Sequence, residues 1–126
     1  MSQINIKYIK NLNNDCLRGI EFYKQELGFQ QERLEEIAAD NTAREVREKI
    51  EHFQNQFLIH GNYLDGLKRE IHVNDKDIEK ELLKTGAFVS ENIAAEHKQV
   101  HGQYLDEEKI FNDLRHEFNS FATVWM

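Results

Sequence analysis

The side chains with the most obvious chemistry in this sequence are its six histidines, which are His52, His60, His72, His97, His101 and His116. His97 and His101 are one helical turn apart, and imidazoles at positions i and i+4 of a helix can share a metal ion. Asp113 and His116 form a second pair, at i and i+3. A di-metal site in a helical bundle needs two Glu-x-x-His motifs and two further glutamates, and the sequence contains no Glu-x-x-His. We assign no metal ligand, and a ferritin-like or hemerythrin-like metal-binding bundle remains the alternative function.

The single cysteine, Cys16, is the other candidate reactive group. It falls on the apolar stripe of a helical segment, where a free cysteine behaves as a small buried hydrophobe. A nucleophilic thiol needs a neighbouring base, and folding the chain back near residue 41 sets Cys16 level with Gly66 rather than with a histidine. Glycine-rich phosphate loops and zinc-protease signatures are also absent from the sequence. We therefore predict no catalytic residue, no cofactor and no enzymatic activity.

Charge and composition narrow the classes of partner. The 126 residues include 23 acidic and 16 basic side chains, for a formal net charge of −7. Binding to phosphate backbones needs clustered cations, so nucleic acid is disfavoured as a partner. The longest unbroken apolar run is three residues, whereas a membrane helix needs about 20, and residues 1–10 lack the layout of a signal peptide. We expect one cytoplasmic domain over 1–126 that binds neither nucleic acid nor membrane.

The elements that position these side chains are long helices. The sequence has no proline, so glycine and the capping residues must mark the helix ends. Thr42 followed by Glu45 has the pattern of a capping box, and Gly86 suits a left-handed helix terminus. These marks predict helices over about 7–39, 43–84 and 91–125.

Apolar residues inside the three segments recur with the heptad spacing that packed helices require. The second and third segments keep this spacing without a slip. The first segment, read through Leu12, Cys16 and Ile20, has one extra step of four that would locally unwind a supercoil. A kink near Gly61 is the alternative to one continuous second helix. The predicted fold is all-α, an elongated antiparallel three-helix bundle.

Four polar residues fall on predicted core positions: His60, Asn74, His97 and Glu107. Buried without partners they would each cost a few kcal/mol, so we expect them to pair across helices or to lie near water. Antiparallel folding puts Asn74 between His97 and Val100, a placement that allows a hydrogen bond between Asn74 and His97. We interpret these residues as a polar layer that sets the register, with a small polar pocket as the alternative.

Three stretches carry a family resemblance: EHFQNQF at 51–57, LDGLK at 64–68 and LRHEFN at 114–119. With them, the chain resembles a family of small all-helical bacterial proteins without a described function. This resemblance covers most of the chain. It implies a helical fold and brings no reaction, ligand or partner with it.

The apolar residues left over after the core is assigned are the main indication of function. They are Phe22, Phe29, Leu58, Ile59 and Val73. A contiguous apolar patch on the outside of a soluble protein usually marks an interface, and antiparallel folding sets Phe22 near Ile59. The alternative is that these residues widen an ordinary core stripe. We predict partner binding through these five residues, most simply as a homodimer.

Overall fold

The computed structural model describes residues 5–86 and 89–126. Its helices are α1 (Ile6–Asp40), α2 (Arg44–Thr85) and α3 (Glu91–Trp125). All three pairs of helices pack against each other, with α2 antiparallel to both α1 and α3, and no β-strand is assigned in the described ranges. The structure confirms the predicted three-helix bundle, with each helix end within one residue of its predicted position.

Local signals explain most of the helix ends. The Asn5 side chain accepts a hydrogen bond from the Lys7 backbone N–H at 2.8 Å and caps α1. Ser90 caps α3 by accepting from the backbone N–H of Ile93 at 3.4 Å. Gly86 ends α2 at a φ of 88°, a left-handed conformation that glycine adopts without a steric cost.

The capping box predicted at Thr42 and Glu45 does not form. The N-cap of α2 is Ala43, which makes no capping side-chain hydrogen bond. Asn41 instead serves the end of α1, because its Nδ2 donates to the Ile37 carbonyl at 2.9 Å. The same Nδ2 lies 3.4 Å from the carbonyl of Trp125 and so joins the end of α1 to the end of α3.

The buried positions of α1 correct the predicted heptad. Asn13, rather than Leu12, occupies the core position between Ile9 and Cys16. With Asn13 in place, the buried residues of α1 alternate steps of three and four without interruption, so the predicted extra step is wrong. Leu12 is apolar and directly precedes Asn13, so hydrophobicity favours Leu12 at this position of the predicted heptad. In α3, Ala94 is buried and Ile93 only partly so.

Helix α2 is continuous through Gly61, and the alternative of a break there is not observed. The buried residues on either side of Gly61 keep one register, so the helix presents the same face to α1 and α3 along its length. A glycine in a helix interior costs about 1 kcal/mol relative to alanine. The packing of α2 over its whole length outweighs that local cost.

The core divides into two apolar clusters. The larger one fills most of the bundle and is rich in aromatic rings, with Phe53 packed edge-on against Phe118 at a centroid distance of 5.3 Å. The smaller cluster closes the other end of the bundle, and its buried members are Ile6, Ile9, Ile78, Val89 and Ala94. Between them lies a layer of polar residues. None of the described helical segments has an uncharged apolar stretch long enough to cross a bilayer.

Candidate functional sites: polar layers and interhelical grooves

The layer between the two apolar clusters consists of Asn13, Asn74 and His97, one residue from each helix, all of them buried. Asn13 Nδ2 donates to Asn74 Oδ1 at 3.0 Å, and Asn13 Oδ1 lies 3.0 Å from His97 Nδ1. A direct bond between Asn74 and His97, which the sequence allowed, is therefore replaced by a bridge through Asn13.

Charged groups surround this layer. Asn13 Nδ2 also donates to Asp75 Oδ1 at 2.8 Å, and Asn74 Nδ2 donates to Glu96 Oε1 at 3.2 Å. Burial lowers the pKa of His97 below its usual value, and the neighbouring His101 lowers it further, while Asp75 opposes the shift. His97 is therefore held neutral. The polar side chains of the layer form hydrogen bonds with one another and with Asp75 and Glu96, so none of them is buried without a partner.

His97 and His101 stack with their ring centroids 5.5 Å apart and their planes at 14°. A metal site would need further ligands close to this pair. Within residues 5–86 and 89–126, no group of three or more His, Cys, Asp or Glu side chains is arranged to hold a metal ion.

His60 and Glu107 form a second buried polar pair, between α2 and α3. His60 Nδ1 lies 2.8 Å from Oε1 and 2.9 Å from Oε2 of Glu107, within hydrogen-bond distance of both carboxyl oxygens. Burial raises the pKa of the Glu107 carboxyl above its usual value, and His60 offsets part of that shift. The structure thus confirms that the four polar residues predicted on core positions, His60, Asn74, His97 and Glu107, have partners on other helices.

Cys16 lies in the core beside a cluster of tyrosines. Burial raises the pKa of its thiol to about 11, so it is protonated at neutral pH and is a poor nucleophile. The hydroxyls of Tyr23 and Tyr104 both donate to Glu108 Oε2, at 2.8 and 3.2 Å. Burial is the main cause that raises the pKa of Tyr23 to about 12. The two tyrosine hydroxyls stay protonated and act as structural hydrogen-bond donors.

The five outer apolar residues, Phe22, Phe29, Leu58, Ile59 and Val73, are all exposed, with accessible fractions between 48% and 63%. The structure distributes them over different faces. Phe29 lines a groove shared with α3. Phe22 lies two helical turns before Phe29 on α1, in a shallow depression formed by α1 alone. Val73 lines a groove between α2 and α3, and Ile59 is two heptads away on the same side of α2. Leu58 alone of the five lines the groove between α1 and α2.

Three ion pairs connect α1 and α2 along one side of the bundle. Lys24 contacts Asp65 at 2.7 Å, Lys68 contacts Glu21 at 3.1 Å and Lys10 contacts Glu79 at 3.5 Å. In each pair the two residue numbers add up to 89, and Gly28 and Gly61 satisfy the same relation. The two glycines therefore face each other at a level where other residue pairs place long side chains.

The facing glycines leave an opening that we call the glycine notch, whose defining residues are Leu27, Gly28, Phe57, Leu58 and Gly61. It has a volume of about 570 Å³. A Cβ added at Gly28 would meet no atom within 4 Å among the described residues, and one at Gly61 would meet only Leu27 Cδ1, at 3.8 Å. The buried side chains of Leu27 and Phe57 form its floor, so the notch gives solvent access to the edge of the core.

The sequence analysis did not predict the notch, and it placed Gln30 on the core stripe of the first segment without counting it among the polar residues that need a partner. Gln30 is 3% exposed, and neither its Nε2 nor its Oε1 has a hydrogen-bond partner in the described part of the chain. Its place on the core stripe between Leu27 and Leu34 could have pointed to a buried amide. Its lack of a partner depends on which residues surround it in three dimensions, and no sequence pattern reports that.

Comparisons with protein-family models, with curated proteins and with solved structures find no match to this chain. The resemblance to a family of small helical bacterial proteins stays a prediction.

Proposed function

We propose that this chain is a non-enzymatic helical bundle that acts through protein contacts, and that it forms a homodimer through the glycine notch. The observation that carries the proposal is Leu58, which is 63% exposed and lies at the edge of the notch. In a two-fold symmetric dimer each copy presents the same surface to the other. If the two-fold axis passes close to the two Leu58 side chains, each Leu58 can enter the apolar notch of the other copy.

The charge of this face supports the pairing of two identical copies. The only charged residues that line the notch among those described are Lys24 and Asp65, and they pair with each other at 2.7 Å. The rest of the rim consists of the amides Gln31, Gln54 and Asn62. Two chains with a net charge of −7 can therefore approach through this face without direct repulsion between like charges.

The magnitudes point to a weak dimer. Full burial of a leucine contributes roughly 1.5–3 kcal/mol, so the two Leu58 side chains contribute at most about 3–6 kcal/mol. Association costs at least about 4 kcal/mol in lost translational and rotational freedom. The two Leu58 side chains alone therefore leave at most about 2 kcal/mol, and burial of the notch residues around each Leu58 must supply the rest of the association free energy. We also propose a cytoplasmic location, because a single free cysteine fits a reducing compartment.

Sedimentation equilibrium over a range of chain concentrations tests the dimer. We expect the wild-type chain to approach twice the monomer mass and Leu58→Glu to remain a monomer with unchanged helical circular dichroism. Val73→Glu is the matched control, because Val73 is similarly exposed on α2 but lies in the groove shared with α3. It should dimerise like the wild type.

A second pair of variants fills the notch from within. Gly28→Met places a side chain in the opening and should abolish the dimer. Gly102→Met is its control, because Gly102 also has open space around it, on α3. Both changes replace glycine by a better helix former. A difference in dimerisation between the two variants is therefore due to filling the notch. A wild-type monomer at the highest concentration, or a Leu58→Glu variant that still dimerises, would overturn the proposal.

A further inference from the structure

A second groove, between α1 and α3, has a different chemistry. We call it the arginine groove and define it by Gln30 and Arg33 on α1 and by Arg115, His116 and Asn119 on α3. Its volume is about 380 Å³. It lies on another face of the bundle than the glycine notch, so it is independent of the proposed dimer.

The two arginines of this groove, Arg33 and Arg115, form no ion pair within the described residues. The lysines that flank the α1–α2 interface are paired with carboxylates, at 2.7 Å for Lys24 and at 3.1 Å for Lys68. Glu26 is the one carboxylate among the described residues that lines the groove. The groove is thus a locally positive site on an acidic protein.

The Gln30 side chain is a second feature of the groove that points to a ligand. It lines the groove, and it is the one described residue with buried side-chain nitrogen or oxygen atoms that have no partner. The register that joins Asn13, Asn74 and His97 places Gln30 level with Phe57 and Leu114, which offer no polar group. A buried amide without a partner is costly. A rotation of the Gln30 side chain toward the groove would let its Nε2 donate to a ligand there.

The groove selects an oxyanion by its donors. The guanidinium group presents several N–H donors in a planar fork that matches the oxygens of a carboxylate or a phosphate. His116 and the Asn119 amide add donors at the same groove, and the exposed ring of Phe29 lines its side. We propose that the arginine groove binds a small molecule through a carboxylate or phosphate group, held by Arg33, Arg115 and Gln30, with an apolar body against Phe29.

Nuclear magnetic resonance titration of the isotope-labelled chain tests this site. The probes are inorganic phosphate, phenyl phosphate and benzoate, added at constant ionic strength. We expect saturable shifts of the Gln30 side-chain amide and of the Arg33 and Arg115 Nε signals. Saturation by the phosphates alone assigns a phosphate ligand, and saturation by benzoate alone assigns a carboxylate. Tighter binding of phenyl phosphate than of inorganic phosphate is the expected effect of Phe29.

Matched double variants separate a specific site from general charge. R33Q/R115Q should raise the dissociation constant of the best probe by more than about tenfold, since hydrogen bonds to charged groups are lost. R18Q/R47Q removes the same charge from exposed positions elsewhere and should leave the dissociation constant unchanged. Gln30→Leu should weaken binding in a chain that stays folded. The absence of saturable shifts with all three probes, or equal effects of the two double variants, would overturn the proposal.

Discussion

Replacing Gln30 by leucine should make this protein more stable. Both polar atoms of the Gln30 side chain are buried without a partner in the described residues, and an unsatisfied buried polar group costs about 1–3 kcal/mol. Leucine has a similar length and an equally good helix propensity. It would also complete an apolar layer with Phe57 and Leu114. We therefore expect Gln30→Leu to raise the free energy of unfolding by about 1–3 kcal/mol.

The size of the thermal shift follows from the length of the chain. Unfolding entropy is about 2.1 cal/mol/K per residue, so for 126 residues each kcal/mol raises the melting temperature by about 4 °C. Gln30→Leu should therefore melt about 4–11 °C above the wild type. Urea unfolding followed by circular dichroism gives the free energy, and a thermal scan gives the melting temperature.

Gln25→Leu is the matched control, because Gln25 is exposed on the same helix. Its effect should stay within about 0.5 kcal/mol of zero. A Gln30→Leu variant that is no more stable than the wild type would refute the reasoning. The Gln30 amide would then have a partner such as a buried water molecule.

Two further predictions concern a close approach and a buried titratable group. A Cβ at Gly19 would clash with Tyr104 Oη, so Gly19→Ala should lower the free energy of unfolding by about 1–3 kcal/mol. Gly102→Ala should raise it by about 1 kcal/mol through helix propensity, and urea unfolding measures both. His97 has a pKa below its unfolded value of 6.5, so the unfolded chain binds more protons just below that pH and stability falls as the pH is lowered. Urea unfolding as a function of pH should show a smaller loss for His97→Gln, and equal losses would contradict the assignment.

The fold could be predicted because heptad spacing and helix-end residues are local signals. Three helices followed from the spacing, and each boundary was correct to within one residue. The error in α1 came from giving the apolar Leu12 the core position that the polar Asn13 occupies. Asn13 is buried because Asn74, Asp75 and His97 satisfy its amide, and these partners come from other helices.

The candidate sites were harder to predict for the same reason. Exposure of the five outer apolar residues was predicted correctly, but their division among three faces depends on the rotation of each helix about its axis. The glycine notch requires Gly28 and Gly61 to face each other, which only the α1–α2 register determines. Each glycine by itself indicated no more than a local weakness in a helix.

An isotope-filtered NOE measurement on a mixture of labelled and unlabelled chains tests the dimer most directly, because it detects only contacts between different copies. At a concentration where the wild-type chain sediments as a dimer, we expect intermolecular NOEs from the Leu58 methyl groups to the Hα protons of Gly28 and Gly61. A dimer with no such NOEs, or with intermolecular NOEs from another face, would contradict the account.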